Sequence, residues 1–428
     1  MRVGITTLAF APGLSGGDGT YVRHLVRALS TGLDGLDAPS PDAATPGARA
    51  GSGEPAHYVL FAAPWNAAAL APLGPRATLV VCPVPPGSFV LRALWEQLAL
   101  PRLLARANLD VFHAPVNVAP LGTPCPLVLT LHEHVPFAAE VRMPVTLRGY
   151  WRLFRRASAR RAAAIIAVSR ASAAALIRAM QLPPAKVRVI HHGLAPVYLE
   201  AGAAPPVTPA APAAAAADPA PPLPGLAPGY LLWVGRTYPS KNVPVLLQAF
   251  QRLVRHMPAR LVLVGRPGWD EPRVARLVQQ LGLAAHVVRL GPCDAITLRR
   301  LYRHAAALAF PSTHESFGFP VLEAMACGTP VVAARLPCLE EIAGDVPLYV
   351  APHDIGGWAA ALAATLAAWR AGSPALQERR AAGMARARRF RWEQTALATA
   401  QVYQQVYQTA AAAAAPVPAH RRGGPSRP

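Results

Sequence analysis

"HESFGFPVLEAMACGTPVV", His314 to Val332, carries two glutamates, Glu315 and Glu323, eight positions apart across an apolar stretch. The run before it, "LAFPS", reads as a buried strand ending at Ser312, and "TPVVAA" reads as the next strand. Between them Pro320 suits the first turn of a helix, the helix is expected over 321–327, and Gly328 suits its C-terminal cap. Strand, loop, helix and strand in that order form the unit of a parallel sheet covered by helices. The loop lies at the carboxyl end of its strand, where ligands bind in such sheets. The amides of Val321, Leu322 and Glu323 would face that end and attract an anion. Glu323 falls in the first helical turn, where a carboxylate is electrostatically favoured. Read alone, Glu323 fits a helix-start acid and Glu315 a loop acid as well as either fits a ligand contact.

The same alternation runs through the 428 residues. Short apolar runs in the first half are "RVGITTLAF", "YVLFAA", "TLVVCPV", "DVFHAP", "LVLTLHE", "AIIAVS" and "KVRVIHHG". In the second half they are "YLLWVG", "RLVLVG", "HVVRLG", "ALAFPS", "TPVVAA" and "PLYVAP". Helical patterns separate them: Val22, Leu25, Val26 and Leu29 fall on one apolar face. The fold class is therefore α/β, with a domain over 1–200 and another over 230–389 facing each other across one cleft. An Ala/Pro-rich linker, 201–229, joins them, and a low-complexity insert interrupts the first near 31–55. A helix is expected over 390–408, followed by a disordered basic tail, 409–428.

The net charge is +20, carried almost wholly by arginine: the only lysines are Lys186 and Lys241, which leaves 42 − 2 = 40 arginines. A lysine kept in such a composition hints at a need for an ammonium. A basic surface suits anionic lipid, a phosphorylated ligand or nucleic acid, but no zinc-finger spacing and no aromatic RNA-binding motif occurs, which argues against nucleic acid. The cysteines, Cys82, Cys125, Cys293, Cys327 and Cys338, are odd in number, with no CxxC pair, and read as reduced thiols of a cytoplasmic protein. The opening run is too short for a signal peptide, and no apolar run is long enough to span a bilayer.

Other motifs carry chemistry. Gly16, Gly17 and Gly19 precede the first helix, where backbone can approach a ligand, although the spacing is not the dinucleotide one. "YLLWVGRTYPSKN", 230–242, offers Arg236 and Lys241 just beyond a strand end, a fork and a point charge suited to a diphosphate. His132-Glu133-His134 puts two histidines on one face of a strand without a third metal ligand. No DxD occurs, so no metal is expected. His191-His192-Gly193 ends a strand near the hinge. "LRGYWRLFRRASARR", 147–161, sets Leu147, Trp151, Phe154 and Ser158 among Arg148, Arg152, Arg155, Arg156, Arg160 and Arg161; such a helix suits an anionic membrane surface, or a solvated basic face over buried aromatics.

"GRTYPSKN", "PSTHESFGFPVLEAMACGTPVV" and "LEEIAGDVPLYVAPHD" resemble the second-domain signature of the family 4 glycosyltransferases, which are retaining enzymes of the GT-B fold. "GGDGTYVRHLVRAL", "DVFHAPVNVAP", "LTLHEHVP" and "IIAVSRAS" resemble that family's first domain. The resemblance implies two Rossmann-like domains, with the last helix crossing back to the first. It implies that Glu323 holds the ribose of a nucleotide diphosphate sugar and that Arg236 and Lys241 hold its pyrophosphate. Gly318, Phe319, Val321 and Leu322 would line the donor, Gly16 and Gly17 would face it, and Glu315 and His132 would act at the sugar. Thr20 and Asp18 depart from the family's usual residues, which bears on the acceptor contact.

The expectation is a hexosyltransferase, mannosyl preferred, acting on a hydroxyl of a glycan or lipid-linked acceptor in surface polysaccharide or glycolipid synthesis. It would work in the cytoplasm or on the inner face of the membrane, without a cofactor. A sugar-nucleotide epimerase of the same fold and a non-catalytic nucleotide-sugar-binding subunit are the alternatives.

Overall fold

Every one of the apolar runs forms a strand, and the strands fall into two separate parallel sheets of seven and six. The computed structural model describes residues 1–8, 10, 16–31, 56–85, 89–132, 145–199 and 223–414. The first sheet comprises β1 (Arg2–Thr6), β2 (His57–Ala62), β3 (Ala77–Val81), β4 (Val111–Ala114), β5 (Leu127–Leu131), β6 (Ala164–Ala167) and β7 (Val187–Val189). The second comprises β8 (Tyr230–Val234), β9 (Leu261–Val264), β10 (Val287–Leu290), β11 (Ala305–Phe310), β12 (Val331–Ala334) and β13 (Leu348–Val350).

Their orders are β3-β2-β1-β4-β5-β6-β7 and β10-β9-β8-β11-β12-β13. Val3 pairs with Tyr58 on one side and Val111 on the other, and Leu232 pairs with Val262 and Leu308. Each sheet therefore reverses its winding next to its first strand, between β1 and β4 and between β8 and β11. A crevice opens at the carboxyl ends there, because the flanking crossovers leave in opposite directions. The glycine run follows β1, the Arg236–Lys241 loop follows β8, and the Glu315 loop follows β11. All three motifs thus stand at switch points.

The central strands are buried on both faces, as their unbroken apolar composition requires. Trp233, Phe250, Leu263 and Trp358 pack under one face of the second sheet, and Phe310, Val321, Leu322 and Tyr302 under the other. The last helix, Trp392–Ala414, joins the first domain's core: Trp392, Ala396 and Tyr403 pack with Val22, Leu25 and Leu29. His113 Nδ1 lies 2.7 Å from the Tyr403 hydroxyl.

Local departures have physical causes. β11 ends at Phe310 rather than Ser312, since Pro311 has no amide for the ladder. The helix expected over 321–327 spans Phe319–Ala326, because Gly318 adopts φ +99° and turns the chain into it two residues early. The last helix continues past 408 to Ala414; alanines are the strongest helix formers, and the run ends only at Pro416. The end of the linker is packed: Leu226 is buried and the Gly229 amide donates to His304 O. The rest of the linker, the insert beyond Thr31, the tail beyond Ala414, Glu133 and His134 lie outside the described residues.

The basic helix forms as Val145–Arg161, but Arg155 is buried and Ser158 Oγ bonds Ala119. Arg155 therefore cannot belong to a solvent or lipid face. Arg152, Arg156, Arg160 and Arg161 remain exposed, while the side chains of Leu147, Arg148 and Trp151 lie outside the described residues. Among the described residues no helix is long and apolar enough to cross a membrane.

Candidate active site

The loop after β8 is built to hold two cations still. Pro239–Lys241 forms a single 3₁₀ turn, and Asn242 takes the left-handed conformation at φ 52°. The Asn242 side chain donates to Pro311 O at 3.2 Å and Pro352 O at 2.8 Å, which ties this loop to the ends of β11 and β13. Thr313 N donates to Ser240 O at 2.8 Å. The two loops at the switch point are thus one hydrogen-bonded unit. Within it Lys241 Nζ meets Glu315 Oε1 at 2.5 Å, and both side chains are largely shielded from solvent. Arg236 stacks on Tyr238, 5.6 Å from the ring centroid. Its Nε is buried without a hydrogen-bond partner among the described residues. A buried guanidinium nitrogen left unpaired is costly unless an acceptor arrives.

Gly318 is fixed by geometry. Its φ is positive, and a Cβ there would lie 2.5 Å from Leu339 Cδ2. Val321 N donates to Gly318 O at 3.0 Å and Leu322 N does so at 3.5 Å. This corrects the expectation that the Val321 and Leu322 amides are free for an anion: the first turn already uses them. Among the described residues the amides of Gly318 and Phe319 make no hydrogen bond, so the free donors lie one turn earlier in the chain.

Glu323 lies deeper. Tyr302 donates its hydroxyl to Glu323 Oε2 at 3.0 Å. Burial pushes the Glu323 carboxyl up to about 7, against the lowering effect of that hydrogen bond. A carboxyl raised from 4.5 to about 7 favours the fold fully below pH 4.5, and that contribution is lost as pH rises through about 7. Glu323→Gln should therefore raise the thermal midpoint of the ligand-free chain at pH 8, by an energy on the order of 3 kcal/mol, and leave it nearly unchanged at pH 4.5. Differential scanning calorimetry at the two pH values checks this; equal shifts would show that the charge of Glu323 is not the cause.

The first domain meets this unit closely. A Cβ on Gly17 would lie 3.2 Å from the Phe319 ring, so the glycine loop and the start of the Phe319 helix are in contact. Among the described residues nothing lies within 4 Å of a Cβ on Gly16. Phe319 stacks on His192 at 5.2 Å and 3°, and His192 stacks on His132 at 5.3 Å. His132 Nε2 lies 2.7 Å from Pro115 O, which can only accept, so that nitrogen carries the proton. Its Nδ1 faces Asp18 Oδ1 at 3.8 Å. Asp18 is thus turned toward His132. Burial, and then the neighbouring His132, hold His192 well below the usual histidine range, and its Nδ1 is buried without a partner among the described residues.

Further residues, which sequence reading did not single out, fasten the domains together. Glu341 accepts from Arg170 N at 2.8 Å, Ala171 N at 3.1 Å and His191 Nε2 at 2.7 Å. Burial raises its carboxyl, but these donors outweigh burial and hold it below the ordinary value. Ser169, the N-cap of the same Arg170 helix, donates to Ser316 O at 2.8 Å. The loop carrying Glu315 is therefore clamped from the first domain. A second omission is a cavity of ≈ 200 Å³ at the ends of β8, β9 and β10, lined among others by Gly235, Thr237, Gly265, Arg266 and Glu271. Gly265 touches Gly235 there so closely that a Cβ would lie 1.9 Å from Gly235 O. The signal was present: β9 ends in "VGR" just as β8 does.

Two family models divide the chain between them: "Glycosyltransferase Family 4" matches residues 49–196 and "Glycosyl transferases group 1" matches residues 228–368. The chain belongs to the family 4 glycosyltransferases. An O-antigen chain mannosyltransferase B of Escherichia coli is 35% identical over 179 residues, 41% of this chain and 45% of that protein. A D-inositol 3-phosphate glycosyltransferase 2 of Catenulispora acidiphila is 40% identical over 192 residues, 42% of this chain and 44% of that one. These matches span less than half of each relative's length. Among solved structures, sucrose-phosphate synthase from Thermosynechococcus elongatus superposes with a TM-score of 0.70 at 22% identity, covering 96% of this chain and 100% of that one. Anabaena HepE, solved with UDP and glucose, gives 0.65 at 19% identity over 95% and 100%. The fold is GT-B: two parallel-sheet α/β domains facing one cleft. In this family 4 chain the matched segments hold Glu315, Glu323, Arg236, Lys241 and His132, whereas Gly16 and Gly17 precede the first of them. Among its described residues no group of three or more His, Cys, Asp or Glu could hold a metal ion.

Proposed function

We propose that the chain is a retaining hexosyltransferase that takes its sugar from a nucleotide diphosphate donor and passes it to a hydroxyl of a glycan or lipid-linked acceptor. One observation carries this reading: the loops after β8 and β11 are locked into one unit that presents Arg236, Lys241, Glu315 and the free amides of Gly318 and Phe319. The diphosphate gains negative charge as it leaves. Arg236 and Lys241 with those amides would stabilise it, oriented in advance and shielded from water. Glu323 would accept from the ribose hydroxyls, which would replace the solvation that burial removes. The cavity beside Gly235 would take the nucleobase, and Glu315 would contact the sugar. His132, with Nδ1 as its free nitrogen, would meet the sugar from the first domain.

A mannosyl donor is preferred, supported by the Escherichia coli relative and by its role on a surface glycan. The test is product analysis with a panel of nucleotide sugars, with and without acceptor. Sugar transfer only when acceptor is present supports the reading. Conversion of the donor alone would indicate an epimerase, and donor binding without turnover a binding subunit; either overturns it.

Because the side chains supply the cations, no metal is needed in this scheme. Activity should be unchanged in EDTA. Loss that a divalent cation restores would show that the diphosphate is held by a metal instead.

A further inference from the structure

In the motif His191-His192-Gly193 one side chain is held by rings alone. His192 is buried, and among the described residues neither of its ring nitrogens has a hydrogen-bond partner. A buried nitrogen left unpaired costs stability, so the nitrogens are not what this position uses. Rings surround it instead. Phe319 stacks on it at 5.2 Å and 3°, His132 at 5.3 Å and 25°, and Trp392 at 5.9 Å and 30°. The Tyr21 ring lies at 4.7 Å and Phe317 stands edge-on at 4.8 Å. These are separations at which offset-stacked and edge-on rings attract.

The backbone beneath the ring is pinned on both sides. Ile190 N donates to Ala167 O at 2.9 Å, and Leu194 N donates to Phe390 O at 2.9 Å. Thr395 Oγ1, on the last helix, donates to His191 O at 2.8 Å. The segment 190–194 therefore cannot shift without breaking its bonds to the end of β6 or to the last helix. The rings that it joins belong to different domains. His132 follows β5 in the first, and Phe319 opens the helix Phe319–Ala326 of the second. Among the described residues His132 and Phe319 share no ring contact with each other, so His192 is a link between them. His132 does not need that link to keep its place in its own domain. Its Nε2 is bonded to Pro115 O, and its amide donates to Asn117 Oδ1 at 2.9 Å. What the link sets is the spacing between His132 and the helix start that carries the free Gly318 and Phe319 amides.

We infer that His192 is a positioning residue: its flat ring, on a pinned backbone between the two domains, spaces His132 of the first from the Phe319 helix of the second. The faces of the ring do this and its nitrogens take no part. A planar ring fixes a distance because it stacks, whereas an aliphatic side chain of similar volume fills the space without stacking. The role rests on the hexosyltransferase reading, in which His132 meets the sugar while the helix start holds the diphosphate. The spacing then sets where His132 stands against the bound donor.

The experiment compares His192→Leu and His192→Phe with the wild-type full chain. It reads kcat with the donor and acceptor that the wild type turns over, calorimetric affinity for GDP and UDP, and the thermal midpoint. His192→Leu should lower kcat by about 100-fold, the scale of misplacing a group at the reacting centre by roughly 1 Å. Its diphosphate affinity should match wild type, because the residues proposed to hold the nucleotide lie in the second domain. His192→Phe keeps a flat ring without nitrogens and should retain most of the wild-type kcat. Should one variant fail to fold, the other decides: the split between kcat and affinity in the leucine variant, or the retained kcat in the phenylalanine one. Wild-type kcat in His192→Leu overturns the role, as does a fall in diphosphate affinity that matches the fall in kcat. A folded His192→Phe as impaired as His192→Leu overturns it too, and gives the nitrogens the work. No transfer by the wild-type chain would overturn the hexosyltransferase reading and this role with it, whereas transfer at one kcat by all three chains overturns the role alone.

Discussion

Glu315→Gln should lower kcat by about 100- to 1000-fold, the scale of losing one oriented group at a charge-developing centre, while leaving nucleoside diphosphate affinity unchanged or slightly tighter. The residue lies beyond β11 on a loop held by Thr313 N, Asn242 and Cys338 Sγ, which is 3.1 Å from Glu315 O. Glutamine preserves the shape of the side chain, so the loop should remain. What is lost is the charge that the proposed scheme sets beside the sugar, where charge and ring shape change during transfer. Lys241, tied to Glu315 at 2.5 Å, would become freer to meet the diphosphate of the proposed donor. Glu323→Gln should behave differently. In the proposed scheme it contacts the ribose, which is the same in substrate and transition state, so its loss is one of uniform binding. The donor KM should rise by about 10- to 150-fold, as expected for hydrogen bonds to a charged group, with kcat near wild type. Donor kinetics and calorimetric binding of the diphosphate to both variants are the measurements. Wild-type kcat in Glu315→Gln, or one shared pattern for both, would refute the division of labour.

Glu341→Gln should leave the binding of nucleoside diphosphate nearly intact yet lower kcat by roughly 100-fold, because partners lost from a buried charged hydrogen-bond network are worth several kcal/mol. Arg236, Lys241 and Glu323, the residues proposed to hold the nucleotide, all belong to the second domain, and Glu341 touches none of them by hydrogen bond. Its partners are the Arg170 and Ala171 amides and His191, which all belong to the first domain. Glutamine keeps one acceptor oxygen but gives up the charge that the helix start favours. The clamp that registers Ser316, and with it Glu315, against the first domain should then loosen. Solution scattering should show a larger radius of gyration for the variant. An unchanged kcat, or a fall in nucleotide affinity matching the fall in kcat, would show that Glu341 only supports its own domain.

The strands were legible because parallel strands buried on both faces must be short, apolar and rich in Val, Leu, Ile and Ala, and nothing else in the chain looks like that. The loops that carry Arg236, Lys241 and Glu315 were legible for a related reason. A glycine or proline must end each strand, and polar residues placed just beyond it have no core to join. Gly318 was named only through the resemblance, as lining the donor; that it starts the helix, at a positive φ, came from the structure.

Other features depend on partners far away in sequence. Arg155 sits at a helix position that reads as basic surface, yet it is buried, because burial follows from what packs on the helix and not from its own periodicity. The amides of Val321 and Leu322 look free on a linear reading, and only the positive φ of Gly318 turns its carbonyl to accept them. Glu341 and His191 are 150 positions apart, and no local spacing connects them.

By itself the sequence determined the two α/β domains, the strands and the three charged residues placed beyond their ends, since those follow from local apolar periodicity and from turn chemistry. The tertiary structure alone decided which amides stay free, which charges are buried and where the domains are fastened. Each of those is settled by contacts between segments that the chain brings together only when its two sheets close on one cleft.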